Sequence, residues 1–237
     1  MLKIKNDWWK TNFNQQFYKI YYCYLKPNYV DYVKQIIRFA NLKKDYSILD
    51  LACGNGGYLV AFWKLGFKNL IGIDYNYAKL AQKIVKKYNI PIQKGDMRKN
   101  FGKNIYDFII LTNTSFGYFN EKDNQKVLNN CYQALKHGGK LFIDNLSKEF
   151  IEKNFSAKNW IQFKNKIFLL EERELSPNKK YLFSRWYLLD KEKKYNLVNK
   201  LRLYSIYNFQ KNFQKAGFKK MITKNKKIRN WFLVEKI

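Results

Sequence analysis

The amino-acid sequence predicts an α/β fold, a doubly wound sheet with a helical leader before it and an antiparallel cap near its end. Three observations predict it. The stretch Ser47 to Asp74, SILDLACGNGGYLVAFWKLGFKNLIGID, reads as strand, glycine turn, helix, strand and carboxylate, one βαβ unit in about thirty residues. Short apolar runs then alternate with helical stretches as far as Asn145. From residue 160 to 205 the pattern becomes consecutive strand-like runs with short connections, which suits a meander and not another βαβ step.

The leader, residues 7 to 40, is rich in aromatic residues, with spacings of three and four such as Trp9-Phe13-Phe17 and Val33-Ile36-Ile37. These suit amphipathic helices broken at Pro27, packed on the core and partly covering a cleft. In the βαβ unit, Ile48-Leu49-Asp50-Leu51 is short and apolar enough for a buried parallel strand. Gly54-Asn55-Gly56-Gly57 makes the turn, Tyr58 to Leu65 the helix that Gly66 ends, and Asn69 to Ile73 the next strand. Residues 77 to 88 read as a helix with Ala78, Ala81, Ile84 and Val85 on one side. Pro91 to Asp96 is a third short strand, and Tyr106 to Thr112 a fourth, an apolar run that suits a place between two helical layers. Asn120 to Leu135 is an amphipathic helix stopped by the glycines at 138 and 139, and Lys140 to Asn145 is a fifth strand. Lys166 to Glu174, Tyr181 to Leu189 and Tyr195 to Ser205 are the cap strands. A last helix, Phe209 to Lys215, leads into closing strands Lys219 to Lys224 and Asn230 to Lys236. The chain thus divides into a leader (1–45), a core (46–150), a cap insertion (151–205) and closing elements of the core (206–237).

At 237 residues and 46% hydrophobic, the chain can bury a full core. No apolar run approaches the length of a membrane span and the first residues lack a signal-peptide core, so a cytoplasmic location and no membrane partner are expected. Cys23, Cys53 and Cys131 are widely spaced with no C-x-x-C pair, which argues against a disulfide framework and a zinc site; no metal is expected. The single histidine, His137, excludes chemistry that needs a histidine cluster. A net charge of +28 would attract nucleic acid. Yet 40 of the 46 basic residues are lysine, spread along the whole chain beside abundant Asn, Ile, Tyr and Phe, as an AT-rich genome encodes. Both a compositional bias and a polyanion-binding surface stay open.

The βαβ unit points to a nucleoside. Its glycines let the backbone approach a ligand without a Cβ in the way. Asp74, at the tip of the next strand, is placed to accept hydrogen bonds from both ribose hydroxyls. A dinucleotide fingerprint needs G-x-G-x-x-G, but position 59 is Leu. The run Leu49 to Gly56, L-D-L-A-C-G-N-G, instead resembles motif I of the class I S-adenosylmethionine-dependent methyltransferases, a family with a Rossmann-like seven-stranded sheet whose last strand is antiparallel. The resemblance implies S-adenosyl-L-methionine as cofactor and S-adenosyl-L-homocysteine as product. It places Asp50, Ala52, Cys53, Gly54, Asn55, Gly56 and Thr112 around the cofactor, with Asp74 and Tyr75 at the ribose. Asp96 followed by Met97 matches the position that holds adenine. A comparable leader often lends a tyrosine to the pocket; Tyr18, Tyr21 and Tyr22 are the candidates, with core packing as the competing role.

After the fourth strand, Asn113 to Phe119 (N-T-S-F-G-Y-F) lies where ligands of open α/β sheets sit. It resembles the N-S-F segment of small-molecule methyltransferases. It also echoes the N-P-P-Y motif of enzymes that methylate nucleic acid bases, but both prolines are replaced, by Thr114 and Ser115. Asn113, Ser115 and Phe116 are the catalytic candidates, and Tyr118, Arg173, Arg185, Trp186, Arg202 and Tyr204 the substrate-binding ones. Surface pairing with nearby acids is the alternative role for the arginines. Where the acceptor starts protonated, Asp144 and Tyr118 are the groups considered as a base. The expected function is in-line methyl transfer to nitrogen or oxygen of a small molecule. An RNA or protein methyltransferase using the basic surface, and a non-catalytic cofactor-binding protein, are the alternatives.

Overall fold

The computed structural model describes residues 4–5, 7–14, 18, 28–163, 167–190 and 193–237. Strand patterns decide its layers. Along β1 (Ile48–Leu51), β4 (Tyr106–Leu111) and β5 (Leu135–Leu146), successive side chains point to opposite faces, and both faces are apolar. Leu49, Leu51, Ile109, Leu111, Leu141 and Ile143 enter one core, whereas Ile48, Phe108, Ile110 and Phe142 enter another. A sheet buried on both sides needs helices on both sides. On the first side lie α5 (Glu121–Ala134) and α7 (Ile206–Ala216), inserting Val127, Leu128, Phe209 and Phe213. On the second lie α2 (Tyr29–Ala40), α3 (Gly57–Lys64) and α4 (Ala78–Val85), inserting Val33, Ile36, Leu59, Phe62 and Ala81.

Side-chain caps fix where these helices begin. The Asn28 carboxamide oxygen accepts the Asp31 N–H at 3.2 Å, and the Asn120 oxygen accepts that of Asp123 at 2.8 Å. Ser205 and Asn208 form a reciprocal capping box at the start of α7.

The sheet adds β2 (Leu70–Asp74), β3 (Ile92–Lys94), β10 (Met221–Lys226) and β11 (Arg229–Glu235) in the order β10-β11-β5-β4-β1-β2-β3. All neighbouring pairs from β5 to β3 are parallel, and β11 runs antiparallel to both β5 and β10. Strand order reverses between β1 and β4, so the crevice at their carboxyl ends is the place for a ligand. The glycine loop leaves β1 there, and the N-T-S-F segment leaves β4. A second, four-stranded antiparallel sheet runs β6 (Lys158–Phe163), β7 (Ile167–Leu175), β8 (Tyr181–Asp190) and β9 (Lys193–Arg202). Two short helices complete the described elements, α1 (Trp9–Asn12) in the leader and α6 (Lys148–Lys153) before the cap. No described helix is long and apolar enough to cross a membrane.

Three local expectations differ. Helix α5 ends at Ala134, four residues before Gly138: Leu135 is already extended and paired with Tyr106. The glycines instead form a bend within β5, where the Gly138 N–H donates to the Lys236 carbonyl at 2.7 Å. The third strand stops at Lys94, leaving Asp96 in the turn after it. The cap has a fourth strand, β6, that its sequence conceals, because as an edge strand it exposes nearly every side chain, Trp160 included at 62%. Phe17, Tyr21, Tyr22, Cys23 and Pro27 lie outside the described residues.

Candidate cofactor and substrate site

The glycine loop is built for close approach. Ala52 and Gly54 take left-handed backbone angles, φ 64° and 56°, and a Cβ on Gly54 would meet nothing within 4 Å. That open side faces a cleft also lined by Leu51, Asp74, Tyr75, Asp96 and Met97. Asp74 ties the loop to the start of α4. Its Oδ2 accepts the Gly54 N–H at 2.9 Å, and its Oδ1 accepts those of Asn76 and Tyr77 at 2.9 and 2.7 Å. Burial pushes the Asp74 carboxyl above the usual range, against the pull of those three donors. A carboxylate offers about four acceptor positions, so one remains beyond those three donors.

Asp50 lies beneath the loop, fully buried, and neither of its oxygens has a hydrogen-bond partner among the described residues. Burial first, then the nearby Asp74 charge, pushes its carboxyl well above the ordinary value. An orphaned buried carboxyl beside an open glycine loop fits a ligand that brings a positive charge. Asn55 braces the loop: its oxygen accepts from the Gly57 N–H at 2.9 Å and the Tyr29 hydroxyl at 3.4 Å, and its amide donates to the Tyr18 oxygen at 2.6 Å. Tyr18 therefore meets the loop through Asn55. Cys53, Asn55 and Thr112 line a smaller recess continuous with the cleft through Ala52, Gly54 and Ser115.

Asp96 and Met97 reach the same cleft, but Asp96 has a partner that nothing in the sequence singles out. Arg98 grips it through Nε at 3.0 Å and Nη2 at 2.6 Å, and reaches Asp123 at 3.2 Å. The guanidinium lies over the rings of Phe119 at 4.5 Å and Trp9 at 5.2 Å. Burial would raise the Asp96 carboxyl, but the Arg98 hydrogen bonds hold it below its ordinary value. Trp9 packs edge-on against Tyr75 at 4.9 Å, and Trp9 and Phe13 wall the cleft, so the leader covers it as its aromatic pattern suggests.

Where β4 ends, Asn113 and Thr114 both adopt left-handed angles, φ 54° and 62°. Two consecutive non-glycine residues in that region store backbone strain. Asp144 holds them there: its carboxylate accepts the Asn113 N–H at 3.3 Å and its carbonyl that of Thr114 at 3.0 Å. Ser115 donates its hydroxyl to the Thr112 carbonyl at 2.7 Å and lines the cleft.

Beyond Asn113 and Tyr118 lies a second cavity of about 470 Å³, between the sheet's carboxyl edge and the cap. Phe13 and Tyr118 border both spaces. Strand parity decides which cap residues face it. Arg173, Ser184 and Asn199 form one row across β7, β8 and β9, and Glu171, Trp186 and Leu197 the next. Arg173, Glu171, Ser184, Trp186 and Asn199 all line the cavity.

Four nominated residues do not face either space. Arg185 neighbours Trp186 and so points to the opposite face, where it pairs with Glu172 at 3.7 Å. Arg202 is buried in an ion pair with Glu121 at 2.8 Å and caps the Lys180 and Leu203 carbonyls. Tyr204 accepts a hydrogen bond from Asn124 at 3.0 Å inside the core. Phe116 is 1% exposed, with its ring 5.3 Å from that of Tyr204 and 5.5 Å from that of Phe209. Asp144, considered as a base, is committed to Arg229 at 2.6 Å with its side chain fully buried.

The chain matches known proteins along this same stretch. A family described as a methyltransferase domain matches residues 48–139. The ubiquinone/menaquinone biosynthesis C-methyltransferase UbiE of Wigglesworthia glossinidia brevipalpis is 30% identical over 176 residues, 63% of this chain and 68% of that protein. Two solved structures share the fold at low identity. One is an S-adenosylmethionine-dependent methyltransferase from Clostridium acetobutylicum, 18% identical, covering 93% of this chain and 98% of its own, with a TM-score of 0.73. The other is a cofactor-bound amino pentose methyltransferase of calicheamicin biosynthesis from Micromonospora echinaspora, 17% identical, covering 95% and 99%, with a TM-score of 0.75.

Proposed function

Because the chain belongs to the class I S-adenosylmethionine-dependent methyltransferases, we propose that it methylates a nitrogen or oxygen nucleophile on a small molecule held beneath the cap. The observation that carries this reading is the cavity of about 470 Å³, bordered by the cofactor cleft at Phe13 and Tyr118 and roofed by one face of the cap sheet. A space of that size under a sheet suits a compact acceptor, whereas a polymer needs an open groove. The amino pentose methyltransferase, whose fold this chain shares, supports an acceptor of that scale.

The residues present fit the cofactor. Asp74 offers its remaining acceptor position to the ribose, Asp96 and Met97 lie at the adenine, and the buried Asp50 carboxyl gives the loop a counter-charge. When bound, S-adenosylmethionine supplies a methyl carbon on a positively charged sulfur, a good leaving group. The chain's own task is then alignment and exclusion of water, worth on the order of 7–11 kcal/mol at best. The strained turn at Asn113 and Thr114, held by Asp144, fixes the floor between the two spaces. Trp8, Phe13 and Tyr118 form an aromatic partition there, with ring separations of 5.2 to 5.7 Å. Asp144 is engaged by Arg229, so a neutral amine, which brings its own lone pair, asks least of this site.

The test is to incubate the protein with methyl-labelled S-adenosylmethionine and a fractionated cell extract. Label is expected in the small-molecule fraction. Label confined to RNA or protein would overturn the reading.

A further inference from the structure

We propose that the acceptor molecule carries a carboxylate, bound in the cap cavity by Arg173 with the amide N–H of Asn199 and the indole N–H of Trp8. This rests on the small-molecule reading above and adds the substrate's chemical class.

The argument starts from unmet donors. The Trp8 side chain is 3% exposed, lines the cavity, and its indole N–H finds no acceptor among the described residues. The buried Asn199 amide nitrogen, on the cap side of the cavity, finds none among the described residues either. Leaving such groups unsatisfied is costly, so a wall that keeps two of them awaits acceptor atoms. The two walls are fastened together: the Asn12 amide of α1 donates to the carbonyl of Val198, next to Asn199. Trp8 and Asn199 thus belong to one rim.

Arg173 stands in the same row as Asn199, two strands away, with Ser184 between them. Its Nε donates to the Ser156 carbonyl at 3.0 Å, which fixes the plane of the guanidinium. No carboxylate pairs with Arg173 among the described residues; Arg202 and Arg229 are both neutralised, by Glu121 and Asp144. A planar guanidinium with free N–H groups, lining the same cavity as two further N–H donors, matches a planar group that only accepts. Glu171 lines the cavity two residues from Arg173 on the same strand face. Its charge disfavours a phosphate dianion more than a single carboxylate, which is why we choose the latter. Leu146, Ile151, Leu182 and Leu201 also line the cavity and give it an apolar wall that suits a hydrocarbon or aromatic body.

The experiment uses the full chain saturated with S-adenosylhomocysteine, whose own titration reads the cofactor site first. Phenylacetate, 3-phenylpropionate and 4-aminobenzoate are then titrated against their primary amides. At least one acid is expected to bind about tenfold or more tightly than its amide, as loss of a charge-assisted pair implies. Arg173→Gln should erase that preference, Arg173→Lys restore part of it, and Arg185→Gln, on the opposite face of the cap, leave it unchanged. Equal affinity for acids and amides, or no binding of any acid at millimolar concentration, overturns the carboxylate while leaving the cofactor reading intact. Tighter binding of phenyl phosphate than of every acid overturns it too. Failure of S-adenosylhomocysteine itself to bind would instead strike the reading beneath.

Discussion

Two carboxylates, Asp74 and Asp96, line one cleft and a third, Asp50, is buried beneath its glycine loop, and their surroundings assign them different work. Asp74 accepts three backbone N–H bonds, so it builds the loop in addition to the ribose contact proposed for it. Asp74→Ala should weaken S-adenosylhomocysteine binding by about 2–3 kcal/mol, measured by calorimetry, and unchanged affinity would remove Asp74 from the site. Asp50 behaves differently because nothing among the described residues pairs with it. With its folded pKa raised above its unfolded one, its contribution to stability is intact below the unfolded value, about 3.9, and is lost as pH rises through the folded value. Asp50→Asn stays neutral throughout. In cofactor-free protein its stability relative to wild type should therefore climb as pH rises above about 4 in urea unfolding. A constant difference would mean that Asp50 is not charged at any cost to the fold. Asp96 has the opposite sign: its pair with Arg98 stabilises above the unfolded carboxylate pKa and fades as pH falls through the lowered one. Asp50, Asp74 and Asp96 were legible in the sequence because spacing from a glycine turn is a local property. Arg98 was not, since its value comes from Asp123 and Phe119, which only the fold brings to it.

At the scale of elements, parity and edges decide what a sequence shows. Central strands buried on both faces are apolar runs, and β1, β2 and β4 could be read directly. The cap is half-exposed, so its strands show as a change of pattern, while the register that selects Trp186 over Arg185 does not show at all. That register makes a paired prediction. Trp186→Ala should raise the KM for the acceptor and leave S-adenosylhomocysteine affinity unchanged, whereas Arg185→Ala should alter neither; equal effects would refute the assigned face. Phe116 was misplaced for a related reason: it follows the turn that faces the ligand, but its ring turns inward onto α7. The join between cap and core is tight at Gly117, which has φ 111° and accepts the Arg202 N–H at 2.8 Å. A Cβ there would stand 2.7 Å from the Arg202 carbonyl. Gly117→Ala should cost about 1–3 kcal/mol of stability by denaturant unfolding. No change in midpoint would show that the join yields freely.

Over the whole molecule, a charge of +28 coexists with a cofactor cleft whose aligned groups are carboxylates and aromatic rings. The lysines are spread along the whole chain, and any RNA affinity they confer should fall steeply with salt. A cofactor held by Asp50, Asp74, Asp96 and packed rings should be far less sensitive to salt. The most direct measurement is therefore a calorimetric titration with S-adenosylhomocysteine at low and physiological salt, repeated on Asp74→Ala. One-to-one binding that changes little with salt and is weakened in the variant is the predicted result. Absence of binding at both salt concentrations, or binding that Asp74→Ala leaves untouched, would contradict the account of this cleft.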